Sequence, residues 1–177
     1  MPILKSVACA GLAVMAACIS VPSLSGLAGA ALAGAWKSYV NERFGAAADV
    51  PADYKAGGAP ENDDGLTFTS PEGDAQILIW GALATVNEES FADYAKRLVS
   101  YDRDDGWTIG YSTGKNNWFA FSGSKADRIF YEKIIKACSG EIANHVRIEY
   151  PAMHKVEFDS MVTHVAKSLH SMKGYQC

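Results

Sequence analysis

The stretch WFAFSGSKADRIFYEK, residues 118–133, decides the fold. Trp118-Phe119-Ala120-Phe121 and Ile129-Phe130-Tyr131 are apolar at odd and even positions alike. A strand turns successive side chains to opposite faces, so runs of this kind need cover on both sides. Ile77-Leu78-Ile79-Trp80, within a strand expected over Ala75 to Val86, has the same character. Segments of this sort around Leu78, Phe119 and Phe130 predict a central sheet sandwiched between other layers.

Outward from this core the pattern changes. Asn116-Asn117 reads as a turn, and before it Trp107, Ile109 and Tyr111 alternate with Thr108, Gly110 and Ser112, as in a strand wet on one face. Val146, Ile148 and Tyr150 alternate with His145, Arg147 and Glu149 in the same one-sided way, up to Pro151. Upstream, Leu66 to Thr69 is a short strand closed by the turn Pro71-Glu72-Gly73-Asp74. Residues 36–50 read as a strand pair turning near Asn41 or Gly45, and KAGGAPENDDG at 55–65 is a loop by its Gly, Pro and Asp-Gly content.

Two amphipathic segments can cover the sheet. Ser90 and Asp93 form a capping box ahead of Phe91, Tyr94, Ala95, Leu98 and Val99, which fall on one helical stripe. Phe158, Met161, Val162, Val165, Ala166 and Leu169 repeat at i, i+3, i+4, i+7, i+8 and i+11, with Asp159 near the N-cap. The expected architecture is α+β: a three-layer α/β/α sandwich with a mainly antiparallel central sheet, as one domain over residues 36–177.

The N-terminus reads as an export leader. Lys5 precedes an apolar run from Ser6 to Val21, then Pro22, Ser23, Ser25 and Gly26, and Ala28-Gly29-Ala30 fits a signal-peptidase site. Ala33-Gly34-Ala35 offers a second site. The run is short for a membrane span, which needs about 20 unbroken apolar residues. Cys18, after Val14-Met15-Ala16-Ala17, opens a third cleavage point, at which the Cys would receive lipid and anchor the protein to the membrane. The expected location is therefore the periplasm or the exterior, soluble or lipid-anchored.

Of four cysteines, Cys9 and Cys18 lie in the leader, leaving Cys138 and Cys177. An even pair in an exported chain reads as a disulfide, here drawing the C-terminal tail back to the turn before the Val146 strand. The formal charge is −4, or −5 without Lys5, and no basic tract suited to a phosphate backbone occurs. Nucleic acid is accordingly not an expected partner.

With these elements placed, the chain resembles the PsbP-like fold, the α/β sandwich of photosystem accessory proteins and of DcrB-type bacterial envelope proteins. It is also similar to a group of exported proteins of α-proteobacteria. The residues carrying that second likeness are Tyr39-Val40-Asn41-Glu42-Arg43-Phe44-Gly45, Pro60-Glu61-Asn62-Asp63-Asp64-Gly65, Trp118-Phe119, Ser122-Gly123, Ile129-Phe130-Tyr131-Glu132-Lys133 and Tyr150-Pro151. The resemblance implies a fold and an envelope location, with accessory or binding roles and no catalytic set.

Motifs for chemistry are weak. Glu61, Asp63 and Asp64 are oxygen-rich but lack the alternating ligands and distant Glu of a calcium loop. His164 and His170 are six apart, Glu141 and His145 straddle a loop junction, and all four histidines, His154 included, read as surface residues. Ser122-Gly123-Ser124 lacks the first Gly of a nucleophile elbow, and Gly114-Lys115 lacks the spacing of a phosphate loop. No cofactor is implied. What remains is a surface: Arg43, Trp118, Tyr131 and Lys133 carry polar tips within segments committed to core. They suggest a groove for a ligand or a protein partner at the sheet edge near the acidic loop. The expected function is an exported accessory or binding module. A hydrolytic or metal-dependent enzyme using residues 61–65 and a histidine is the alternative.

Overall fold

The computed structural model describes residues 35–84 and 89–177; the segment expected to be a leader, with Cys9 and Cys18, and Val86 lie outside them. In chain order the elements are β1 Trp36–Val40, β2 Ala46–Pro51, β3 Lys55–Ala56, β4 Gly65–Thr69, β5 Gln76–Leu83, α1 Phe91–Asp104, β6 Thr108–Lys115, β7 Trp118–Lys125, β8 Arg128–Ala137, β9 Ile142–Pro151, α2 Lys155–Ser168 and β10 His170–Ser171. A seven-stranded sheet runs β3-β4-β5-β9-β8-β7-β6, and a three-stranded sheet runs β1-β2-β10. Every neighbouring pair is antiparallel. The fold is thus α+β, with the large sheet as the middle layer. No helix among the described residues is long and apolar enough to cross a membrane.

The doubly apolar runs fall in β5, β7 and β8, and the most deeply covered strand is β9. β8 and β9 are central, and their side chains feed two separate cores. On one face Ile77, Ile79, Val146, Ile148 and Tyr150 pack with Val162 and Val165 from α2, with Leu169 just past its end, and with Ala46, Ala48 and Val50 from β2. On the other, Phe121, Phe130 and Ile134 meet Tyr94, Ala95 and Val99 of α1 and the ring of Trp107. Trp107 stands edge-on to Phe130 with centroids 4.9 Å apart.

The small sheet is a departure from the expected layers. β1 and β2 do pair, turning through Asn41 to Gly45, but they form their own sheet beside α2. β10 completes it by pairing with Ala46 and Ala47. Gly45 adopts a φ of +69°, which favours glycine, and Tyr175 lies where a side chain would project.

α1 begins as its capping box predicts: the Ser90 hydroxyl accepts from Asp93 N and donates to the Asp93 carboxylate at 2.7 Å. α2 does not use Asp159 as a cap. It starts at Lys155 after a turn of 3-10 helix, so Asp159 lies inside it and pairs with Lys155 at 3.2 Å, one turn back.

The alternation in β6 is broken by a bulge. Ile109 pairs with Gly123 and Tyr111 with Ser122, leaving Gly110 as an extra residue. Ile109 therefore packs on the α1 side while Tyr111 turns to the α2 side, where it is exposed. The 145–150 alternation is also not wet on one face. β9 is covered on both sides, and His145, Arg147 and Glu149 lie on its α1 side (below).

α2 is fastened to the small sheet by polar contacts. Asp49 accepts from the Ser38 hydroxyl at 2.7 Å and meets His164 Nε2 at 3.0 Å, and His164 stacks on Trp36 with centroids 3.8 Å apart. The Ser38 hydrogen bond first, and His164 after it, hold the Asp49 carboxyl below its ordinary 3.8. Asp49 therefore contributes stability that is complete above that value and is lost as pH falls through the folded pKa. Asp49→Asn should be separated from the wild type in urea melts at about pH 6, and the gap should narrow as pH is lowered past 3.8. A gap that stays equal would show that the carboxylate charge contributes nothing.

Candidate functional site

The two helices cover opposite halves of the large sheet. α1 lies over β6 and β7 on one face, and α2 lies over β9 and the near part of β8 on the other. On the α2 face, Trp118, Ala120 and Ser122 of β7 stand opposite Ile135, Lys133 and Tyr131 of β8. α2 does not extend over Trp118 and Tyr131 on this face. The result is a half-open groove of about 770 Å³.

Trp118, Tyr131, Lys133 and Ile135 form its floor. Val162, Thr163, Ala166 and Lys167 of α2 form its wall, and Leu169, His170 and Ser171 close one end. α2 stops just there: the Ser168 hydroxyl donates back to Val165 O, and the chain leaves through extended Leu169 into β10. Lys133 Nζ donates to Ala166 O at 2.7 Å, among the last helix carbonyls, where a cation is favoured. Burial lowers the Lys133 amine below its usual value and raises the Tyr131 phenol above its own. No carboxylate pairs with Lys133 among the described residues.

Three of the four surface candidates thus meet in this groove, and Arg43 does not. Arg43 sits in the β1–β2 turn, donates to Asn62 O and lies over the Phe44 ring at 4.9 Å. Asn41 Nδ2 donates to Asp63 O at 2.8 Å, so this turn holds the acidic loop by its backbone. The groove expected near that loop lies instead beside α2. Loop and groove are separated by β4, β5 and β9, strands spaced about 4.8 Å apart.

The acidic loop gathers no histidine. Asp64 accepts from Asn62 Nδ2 at 2.7 Å, and the described residues hold no group of three or more His, Cys, Asp or Glu placed to bind a metal. Cys138 and Cys177 are bonded, with Cα atoms 5.3 Å apart, so neither is a free thiol. Tyr175, in the tail so held, donates its hydroxyl to Arg43 O at 2.5 Å.

His145 is a correction: it is fully buried, not a surface residue. Its Nε2 meets Tyr94 Oη at 2.9 Å, its Nδ1 meets Glu132 Oε1 at 3.0 Å, and its ring stacks on Trp80 at 4.5 Å. Glu132 Oε2 accepts from Arg147 at 3.1 Å, and Arg147 reaches Asp102 at 3.0 Å. The Arg147 guanidinium also lies 3.7 Å from the centroid of Phe130. Burial raises the Tyr94 phenol to about 12 and raises the Asp102 carboxyl although Arg147 opposes it. Burial draws the Arg147 guanidinium down, but Asp102 and Glu132 more than offset this and hold it above its ordinary value. A Tyr-His-Glu chain has the parts of a proton relay. With both ring nitrogens bonded and no exposed surface, however, it joins α1 to the sheet and offers nothing to a substrate.

The fold defines a class: the chain has the PsbP-like α+β sandwich. Among solved structures it is similar to the cyanobacterial PsbP (CyanoP) of Synechocystis sp. PCC 6803. The TM-score is 0.60 at 11% identity, covering 83% of this chain and 98% of that one. It is also similar to the Ran-binding protein Mog1p of Saccharomyces cerevisiae, with TM-score 0.56 at 9% identity, covering 78% and 96%. No protein-family model and no curated protein matches the sequence.

Proposed function

We propose that this protein is an exported accessory or binding module of the bacterial envelope, without chemistry of its own, and that its partner occupies the groove between α2 and β8. The observation that carries this reading is the groove itself, where Trp118, Tyr131 and the unpaired cation Lys133 converge. Such a mixture of aromatic surface and a few placed polar groups is typical of binding sites. A Ran-binding protein built on the same fold supports a binding role. The Cys138–Cys177 bond supports an oxidising compartment, in line with the leader. Membrane attachment enters only through lipid on Cys18.

Thr163 is exposed on α2 and lines the groove, so Thr163→Trp fills the site without touching the core. The wild-type protein should recover its partner from envelope extracts. The variant should lose it, with an unchanged melting temperature. A partner held equally by Thr163→Trp would place binding elsewhere and overturn the reading.

A further inference from the structure

We infer that the groove takes a small amphiphilic carboxylate, its head at Lys133 Nζ and its apolar tail along Trp118, Ile135 and Val162. This rests on the groove being the binding site and specifies what it holds.

Charge is the first argument. The chain is acidic overall, at −4, yet the groove is lined by Lys133, Lys136, Lys167 and His170 and by no Asp or Glu. Like Lys37, Lys55, Lys115 and Lys173 elsewhere among the described residues, the three groove lysines have no carboxylate partner, so no acid neutralises the groove from within. Lys133 is half-buried, so its charge is already partly removed from water. Capping Ala166 O uses one donor of an ammonium that has three, and an anion would satisfy the others.

The lining chooses the kind of anion. No arginine fork is present, as bidentate phosphate recognition would favour, and a single half-buried lysine suits a monoanion. The Trp118 and Tyr131 rings with Ile135, Val162 and Leu169 supply an apolar track for a tail. A volume of about 770 Å³ falls within the span of small-molecule sites. The carbonyl end of α2 disfavours an anion, and the Lys133 ammonium that caps it offsets this, which makes Nζ the place where a head is tolerated.

Calorimetric titration of the purified protein with decanoate, decyl maltoside and butyrate, each below its micelle concentration, tests this. Decanoate should bind about tenfold or more tightly than the other two, since one lacks the charge and the other the tail. Lys133→Met should lower decanoate affinity about tenfold and leave decyl maltoside binding unchanged, which a merely misfolded variant would not do. Thr163→Trp should abolish decanoate binding. Equal binding of decanoate and decyl maltoside, both lost in Thr163→Trp, would overturn the carboxylate and leave the groove as the site. Failure of all three probes would overturn the inference, while the groove reading would still stand or fall by partner recovery with Thr163→Trp.

Discussion

Glu132→Ala is expected to lower the unfolding free energy by about 3–5 kcal/mol. Glu132 is only 3% exposed and joins His145 on one oxygen to Arg147 on the other. Its removal leaves Arg147 with Asp102 alone and strips His145 of one of its two ring-nitrogen partners. The cost of an uncompensated buried group exceeds what the intact pair contributes, because the desolvation has already occurred. Replacing Glu132 and Arg147 together by apolar residues should cost less than Glu132→Ala alone. Urea denaturation checks both expectations. A shift below about 1 kcal/mol for Glu132→Ala would mean that the network is solvated and does not hold α1 to the sheet.

Replacing Cys138 and Cys177 by Ser is the second large effect. The bond closes a loop with a sequence separation of 39, for which chain entropy gives about 4 kcal/mol, less any strain relieved. Losing it also frees the tail that holds Tyr175 against Gly45 and lies next to β10. His170 and Ser171 form one end of the groove, so decanoate binding should weaken with the melting temperature. A reductant should do the same to the wild type and nothing further to the double variant. An unchanged denaturation midpoint would show that the tail stays in place without the bond.

Much of this architecture was legible in local pattern. The doubly apolar runs at Ile77 to Trp80, 118–121 and 129–131 required a covered sheet, and the Ser90 capping box located α1. Cys138 and Cys177, the two cysteines left once Cys9 and Cys18 are assigned to an expected leader, were expected to pair, and they do. What stayed hidden depends on contacts distant in sequence. β10 is two residues long and carries no strand signal; it exists because α2 ends beside β2. His145, Arg147 and Glu149 resemble a wet face until register places Glu132 opposite Arg147 and α1 above both. The one clue was Glu132 itself, an acid within an apolar run that needed a cation nearby. Trp118, Tyr131 and Lys133 were singled out by their polar tips. Their convergence depends on β7–β8 register, and the separation of Arg43 depends on a second sheet that no periodicity announces.

The edges of the large sheet carry a consequence for how any partner can dock. One edge, β3, is two residues long and contains Lys55. The other, β6, is distorted by the bulge at Gly110. Short, lysine-bearing or bulged margins discourage another polypeptide from extending a sheet by backbone pairing. Strand donation to the large sheet is thereby disfavoured as a mode of association, as is the fibre growth that follows from it. For the groove proposed above, this leaves recognition at the large sheet to side chains inside a concave site, where selectivity would come from the shape and charge of the guest.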